Sequence, residues 1–126
     1  MTNRTTIRWG IAGTGTIARQ FAEDIKHARA AVLAAVSSRD MGRAREFAGR
    51  HPGIEAHGSL AGMISSGAID AVYLATPNAA HHAQALECIA AGMPVLVEKP
   101  LAAKLEEAQA IRSEAQTSGS FVMEAM

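Results

Sequence analysis

The first residues whose types and spacing fit a chemical task form a glycine-rich segment, Gly13-Thr14-Gly15-Thr16-Ile17-Ala18. It lies between an apolar run and an amphipathic run, the order typical of a strand followed by a helix. Gly13 allows a tight turn, Gly15 leaves room for a pyrophosphate, and the small Ala18 permits close contact between helix and strand. The N-terminus of the helix would offer free N–H groups and a positive dipole end to the phosphates. The segment therefore predicts a dinucleotide-binding turn.

A second candidate is a lysine held between a glutamate and a proline, in the order Glu98-Lys99-Pro100. It closes the fifth predicted strand, about 10 Å or two strand spacings from the first strand. The nicotinamide half of a dinucleotide anchored at the glycine turn should extend in that direction. Lys99 could then hydrogen-bond a substrate hydroxyl and pass its proton while the nicotinamide takes the hydride. The alternative is that Lys99 merely ends a strand and reaches solvent.

The choice between NAD and NADP depends on the residues that follow the second predicted strand, Ser37-Ser38-Arg39-Asp40. An NAD site usually places Asp or Glu here, roughly 20 residues past the glycines, on the ribose 2′-hydroxyl. Hydroxyls with a guanidinium favour a 2′-phosphate instead, and Arg43 adds a second cation one turn into the next helix. We predict NADP, with NAD as the alternative, because Asp40 could turn toward the ribose. Arg39 and Arg43 could also be ordinary solvated charges.

The elements that must position these residues alternate between apolar runs and helical patterns. The strands are predicted at about residues 6–12, 31–36, 54–56, 69–75, 95–97 and 121–123. The helices are predicted at about 16–27, from an Asp40 cap to 51, from a Ser59 cap to 64, 79–91 with Gly92 as C-cap, and 104–118. This alternation predicts an α/β fold, a doubly wound parallel sheet of six strands in the order 3-2-1-4-5-6.

In that order, the ligand crevice lies beyond the carboxyl ends of the first and fourth strands. The glycine turn then meets Thr76-Pro77-Asn78, which stops the fourth strand. Helix periodicity predicts one apolar face formed by Ile17, Phe21 and Ile25 and another formed by Ala83, Leu86 and Ala90. In the last helix, Leu105, Ala108, Ile111 and Ala115 are predicted to face inward.

Bulk composition limits the classes of protein that the chain can belong to. The 126 residues suit one compact domain, and 48% of them are apolar, enough for a core. Twelve basic and twelve acidic residues balance, unlike the basic surface of a nucleic-acid-binding protein. The single cysteine, Cys88, predicts a reducing compartment and an inert core residue. Without an apolar signal segment or a membrane-length apolar run, we expect a cytoplasmic protein with no membrane partner and no metal site.

Taken together, these motifs resemble the N-terminal domain of the glucose–fructose oxidoreductase, inositol dehydrogenase and rhizopine catabolism (Gfo/Idh/MocA) family. The resemblance rests on residues 9–18, 37–39, 75–81, 91–92 and 97–101 and extends over essentially the whole chain. The Ser38-Arg39-Asp40 run, followed by Arg43, is similar to the NADP-linked dihydrodiol and sugar dehydrogenase branch. The most specific element is the Glu98-Lys99-Pro100 triplet.

The resemblance implies a role for each matching position in a Rossmann domain spanning residues 1–126. Residues of the turn, Gly13, Thr14, Gly15, Thr16, Ile17 and Ala18, would hold the pyrophosphate. Ser38, Arg39 and Arg43 would hold the adenosine ribose and its phosphate. Thr76, Pro77, Asn78 and His81 would line the central cofactor path, although His81 opens a helix and could simply pack there. Glu98 would bind the nicotinamide ribose, and Lys99 would be the catalytic lysine.

Family members are at least roughly twice as long, and their second α/β domain carries the substrate pocket and the partner acid/base residue. That domain is absent from these 126 residues. We therefore expect cofactor binding with little turnover, because nothing positions the substrate, a sugar, polyol or diol. An uncovered apolar surface could drive self-association. The alternative function is a non-catalytic nucleotide sensor; DNA binding through residues 16–22 is disfavoured by the charge balance and by the strand just before them.

Overall fold

The computed structural model describes residues 6–125 and shows strands alternating with helices from end to end. Short 3₁₀ turns at Ile25–His27 and Asn78–Ala80 join some of them. The elements are β1 (Ile7–Ala12), α1 (Thr16–Asp24), β2 (Ala31–Ser37), α2 (Met41–Gly49), β3 (Glu55–His57), α3 (Leu60–Ser65), β4 (Ala71–Leu74), α4 (His81–Ala90), β5 (Val95–Val97), α5 (Leu105–Ser118) and β6 (Val122–Glu124).

All pairings in the sheet are parallel, and the strand order is β3-β2-β1-β4-β5-β6. The predicted fold class and strand order are therefore confirmed. The sheet separates two apolar clusters. One face packs on α1 and α2, largely through Ala18, Ala22, Ala44 and Phe47. The opposite face packs on α3, α4 and α5, through residues that include Met63, Ala85, Cys88, Ile89 and Ile111. Cys88 is wholly buried, as predicted.

Local capping chemistry fixes where several helices begin and end. Asp40 caps α2 by accepting hydrogen bonds from the N–H groups of Gly42 and Arg43, at 2.9 and 3.3 Å. The Ser59 hydroxyl caps α3 by accepting from the N–H of Gly62 at 3.0 Å. Gly92 follows α4 with φ of +70°, the left-handed conformation that glycine adopts readily after a helix. The three predicted caps are confirmed.

The apolar faces predicted for three helices agree only in part with the residues that the structure buries. Ile17 is 50% exposed, and α1 packs on the sheet through its alanines, with Ile25 just beyond its end. Leu105 is 70% exposed at the first position of α5, where Ile111 is the buried residue. In α4, Ala83 and Ala90 are exposed, and the buried residues are His81, Ala85, Cys88 and Ile89. Alanine recurs around α4, so apolar periodicity alone did not separate its faces.

Candidate functional site

The glycine turn lies between the ends of three strands. The N–H of Gly13 donates to the carbonyl of Ser37 at 2.9 Å, and the N–H of Ala75 donates to the carbonyl of Ala12 at 2.9 Å. Gly13 has φ of +110°, and a Cβ there would lie 2.7 Å from the carbonyl oxygen of Ala75. The turn therefore packs directly against the backbone that leads into Thr76, and the predicted convergence of the two segments is confirmed.

Gly15 is the N-cap of α1 and faces open space. A Cβ at this position would meet no atom of residues 6–125 within 4 Å, and the backbone φ of −83° is ordinary for any residue. No described side chain caps α1, and its first turn carries no acidic residue, whereas Asp40 and Ser59 cap α2 and α3. The fold leaves an open surface beside Gly15 and N–H groups without a side-chain cap at this helix end, which suits a phosphate group.

The other predicted residues of the turn surround this helix end. Thr16 and Ile17 are exposed in the first turn of α1, and Thr14 is half-buried. The Thr16 hydroxyl accepts a hydrogen bond from the guanidinium of Arg19 at 3.3 Å. Thr14 also lies at one end of a groove of about 270 Å³ between α1 and α2. These residues flank the open surface beside Gly15.

The segment after β2 places two cations at the surface. Arg39 and Arg43 are exposed, and the Nε of Arg43 lies 3.8 Å from a carboxylate oxygen of Asp40. The other carboxylate oxygen of Asp40 is engaged in capping α2. The Ser38 hydroxyl accepts from the N–H of Asp40 at 3.2 Å. One oxygen of the Asp40 carboxylate thus caps its own helix, and two exposed guanidinium groups lie at this end of the site.

The loop after β4 is ordered by hydrogen bonds from α4. The Thr76 hydroxyl donates to the side-chain carbonyl of Gln84, and the backbone carbonyl of Thr76 lies 2.9 Å from Nε2 of His81. Pro77 and Asn78 are exposed. The side chain of His81 is completely buried, so its contribution to the crevice passes through the loop backbone.

Glu98, directly after β5, is held by two donors. The Tyr73 hydroxyl donates to one carboxylate oxygen, and the N–H of Lys99 donates to the other at 3.1 Å. Burial, together with this hydrogen bond and the negative charge of Glu98, raises the pKa of Tyr73 above its ordinary value of 10.0. Tyr73 therefore remains a neutral donor, and its ring is fixed in turn by Phe21, whose centroid is 4.4 Å away.

Lys99 is exposed, and the peptide that joins it to Pro100 is cis. Because β5 pairs with β4 and β4 pairs with β1, Lys99 lies at the same edge of the sheet as the glycine turn, about 10 Å across two strand spacings. Lys99 thus follows β5 at the carboxyl edge of the sheet, and its side chain is exposed to solvent.

Two features of this site were not found from the sequence. One is the hydrogen bond from Tyr73 to Glu98, for which the only signal was a phenol within an otherwise apolar strand. The other is the pair of contacts that the ring of His81 makes with the carbonyl oxygens of Thr76 and Pro100. Among residues 6–125 no group of three or more His, Cys, Asp or Glu side chains is placed to hold a metal ion. Every helix in this range is too short or too polar to serve as a transmembrane span.

A parallel sheet in this order, with a glycine turn where the strand order reverses, defines a dinucleotide-binding Rossmann domain. The sequence profile of the Gfo/Idh/MocA oxidoreductase family, NAD-binding Rossmann fold, matches residues 7–126. The chain belongs to this family and is an NAD(P)-binding oxidoreductase domain.

The chain is similar to curated dehydrogenases and to solved structures. It is 41% identical over 120 residues to the NADP(+) scyllo-inositol 2-dehydrogenase IolU of Bacillus subtilis, covering 95% of the chain and 37% of the relative. It is 34% identical over 122 residues to trans-1,2-dihydrobenzene-1,2-diol dehydrogenase of Sus scrofa, covering 95% of the chain and 36% of the relative. The chain thus spans little more than a third of the length of these enzymes.

Two solved structures share the fold closely. The WlbA dehydrogenase of Chromobacterium violaceum, in complex with NADH and UDP-GlcNAcA, superposes with a TM-score of 0.90 at 31% identity, covering 99% of this chain and 36% of that one. The 3-ketoreductase KijD10 of Actinomadura kijaniata, in complex with TDP-benzene and NADP, gives a TM-score of 0.86 at 29% identity, covering 94% and 38%. Both cofactors therefore occur among structures of this fold.

Proposed function

We propose that this chain binds NADP across the crevice between the glycine turn and the Thr76 loop, as the cofactor domain of an oxidoreductase. The complete enzyme would transfer hydride between NADP and a hydroxyl-bearing carbon of a sugar, polyol or diol. The main support for this proposal is the open surface beside Gly15, at the N-terminus of α1, where no side chain caps the helix. The similarity to an inositol dehydrogenase and to a dihydrodiol dehydrogenase supports the substrate class.

The preference for NADP over NAD rests on this chain's own residues, since relatives with either cofactor share the fold. One carboxylate oxygen of Asp40 caps α2, and the other lies 3.8 Å from Nε of Arg43, which favours this role over a bond to a 2′-hydroxyl. Arg39 and Arg43 are exposed beside Asp40 and would pair with a 2′-phosphate through charge-assisted hydrogen bonds. The hydroxyl of Ser38 would add a neutral donor. A 2′-phosphate would thus meet two cations here, which offset the negative charge of Asp40.

The proposed chemical roles follow from the other end of the crevice. When bound, the nicotinamide ring would accept the hydride from the substrate carbon or return it. Glu98, fixed by Tyr73 and by the N–H of Lys99, would accept hydrogen bonds from the nicotinamide ribose. Neutral Lys99 would accept the hydrogen bond of the substrate hydroxyl and take its proton as the carbon gives up its hydride to the nicotinamide, and the resulting ammonium would then donate to the carbonyl oxygen of the product. Thr76, Pro77 and Asn78 would line the path between the two ends.

Calorimetric melting of the chain with NADPH, with NADH and without ligand tests cofactor binding. A ligand at a hundred times its dissociation constant should stabilise the fold by about 2.7 kcal/mol. We expect NADPH to give the larger increase in melting temperature. A larger increase with NADH would overturn the assignment to Ser38 and Arg39. No increase with either cofactor would overturn cofactor binding itself.

The substrate of the complete enzyme, the self-association of the chain and its location in the cell are predictions. Phe121 and Met123 are 61% and 51% exposed on or beside the edge strand β6, and Leu105 is also exposed. This apolar surface supports the prediction of self-association, which light scattering over a range of chain concentrations would test. The cytoplasmic location stays a prediction made from the sequence.

A further inference from the structure

The imidazole of His81 connects the two loops that close the crevice. Its side chain is completely buried at the first position of α4. Nδ1 lies 2.8 Å from the carbonyl oxygen of Pro100, and Nε2 lies 2.9 Å from the carbonyl oxygen of Thr76. One carbonyl follows Lys99, and the other precedes Pro77 and Asn78. A single ring thus bridges the loop of the predicted catalytic lysine and the loop of the predicted cofactor path.

Both partners of the ring are acceptors, and this fixes the number of protons that the arrangement needs. A backbone carbonyl can only accept, whereas a neutral imidazole carries one N–H donor and one bare lone pair. A neutral ring would therefore hold one loop and set a lone pair against the oxygen of the other at hydrogen-bond distance. Rotating the ring by half a turn would put carbon where each nitrogen stands and lose both bonds. Only the imidazolium satisfies both carbonyls.

We propose that His81 is a proton-dependent tie that, when doubly protonated, fixes the Thr76 loop and the Lys99–Pro100 loop relative to each other. It is a positioning residue, because the buried ring acts on the crevice through the backbone of the two loops. Its effect on cofactor affinity rests on the proposed function, but the tie itself does not. When the second proton is lost, one of the two contacts becomes repulsive and one loop is released.

The surroundings of His81 contain charges of both signs. On α4, His82 lies 3.6 Å from Glu107 of α5. Near Pro100, Lys99 and Lys104 are exposed, Glu98 is engaged by Tyr73, and Glu124 of β6 accepts the N–H of Leu101 at 2.8 Å. Within residues 6–125 His81 itself forms no ion pair with a carboxylate. Burial and the N-terminal end of α4 oppose a positive charge, but the two carbonyls still require two donors.

Nitrogen-15 NMR of the histidine side chains in the full 126-residue chain tests the tie without any cofactor. We expect both ring nitrogens of His81 to carry a proton at the acidic end of the pH range in which the chain is folded. As the ring loses one proton, the backbone amide signals of Asn78 and Lys99 should move with the same midpoint. A single neutral tautomer at every pH at which the chain is folded would overturn the proposal.

A pair of variants tests the consequence for binding. His81→Phe keeps a ring but removes both donors, whereas His82→Phe changes the neighbouring histidine, which contacts Glu107 and neither loop carbonyl. We expect NADPH affinity of the unmodified chain to weaken as pH rises, and His81→Phe to bind about tenfold more weakly at the acidic end, a cost of about 1.4 kcal/mol. Because the cofactor's 2′-phosphate also titrates near pH 6, the difference between the two chains is the quantity to compare.

The outcomes separate the tie from the proposed function. In His82→Phe, NADPH affinity should depend on pH as it does in the unmodified chain. In His81→Phe, the part of that pH dependence that comes from the imidazole of His81 should be lost. A His81→Phe chain with the unmodified affinity and pH profile would overturn the positioning role. Should the unmodified chain bind neither NADPH nor NADH, cofactor binding fails, and the NMR measurement still decides whether the ring holds both loops.

Discussion

The two glycines of the phosphate-binding turn should respond differently to replacement by alanine. At Gly13 the new Cβ would lie 2.7 Å from the carbonyl oxygen of Ala75, at φ of +110°. At Gly15 the new Cβ would meet no described atom within 4 Å, at φ of −83°. The fold therefore requires glycine at position 13, whereas at position 15 the reason for glycine must come from the ligand.

The expected magnitudes follow from these distances. For Gly13→Ala, backbone strain costs about 1–3 kcal/mol, and overlap with a backbone atom costs about 1–3 kcal/mol more. The free energy of unfolding should fall by about 2–6 kcal/mol, a large share of the roughly 5–15 kcal/mol that stabilises a domain. For Gly15→Ala, a poorer N-cap costs up to about 1 kcal/mol, and the stiffer unfolded chain offsets about 0.4–1 kcal/mol. Its free energy of unfolding should change by less than about 1 kcal/mol.

Urea denaturation followed by circular dichroism measures the stability of each variant, and isothermal titration calorimetry measures NADPH affinity. If the methyl group of Gly15→Ala overlaps the pyrophosphate at a cost of about 1–3 kcal/mol, the affinity should fall about 5- to 150-fold. Gly49→Ala is the matched control, because its Cβ also meets no described atom within 4 Å and it lies in α2, away from the turn. That control should bind NADPH like the unmodified chain.

Two results would refute this reasoning. If Gly15→Ala destabilised the fold as much as Gly13→Ala, the protein itself would require glycine at position 15. If Gly15→Ala bound NADPH with unchanged affinity, the open surface beside it would not be the pyrophosphate site.

Three further predictions concern single side chains. Arg39→Ala should weaken NADPH binding about 10- to 150-fold, the loss of a charge-assisted bond worth about 1.5–3 kcal/mol, and leave NADH binding within about twofold; calorimetry that found equal losses for both cofactors would contradict the NADP assignment. Tyr73→Phe removes the donor to Glu98 but keeps the ring, so NADPH affinity measured in the same way should fall about 2- to 12-fold, and unchanged affinity would show that Glu98 needs no such support. Burial raises the pKa of Cys88 from 9.0 to about 12, so the folded chain should react slowly with a thiol-specific disulfide reagent and quickly in denaturant. Because the unfolded thiol loses its proton first, the contribution of Cys88 to stability should decline as pH rises from 9.0 to about 12, and prompt reaction of the folded chain near neutral pH would contradict this burial.

The strand order and the glycine turn could be predicted because each follows from local chemistry or from a topological rule. Asp40 and Ser59 are good N-cap residues in any context, and alternating strands and helices leave few parallel topologies. Once the order is known, Gly13 and Ala75 must meet at the edge of the sheet where the crevice opens.

The partners of His81 and Tyr73 could not be predicted because they depend on side-chain geometry between distant segments. His81 contacts the backbone carbonyl of Pro100, 19 positions away, and Tyr73 contacts the carboxylate of Glu98, 25 positions away. Sequence spacing shows that the loops converge, but not which donor faces which acceptor. The inward face of α4 was missed for a different reason: its alanines are equally apolar on every side, and the buried face includes a histidine.

The aromatic contacts behind Glu98 also make the chain its own optical probe. Trp9 is its only tryptophan; its ring lies edge-on to Phe21 at a centroid distance of 5.8 Å, and Phe21 packs in turn on Tyr73. Indole emission overlaps the absorption of reduced nicotinamide but not that of the oxidised ring. Quenching of Trp9 fluorescence by energy transfer should therefore report both occupancy of the crevice and the redox state of its occupant, without any added label.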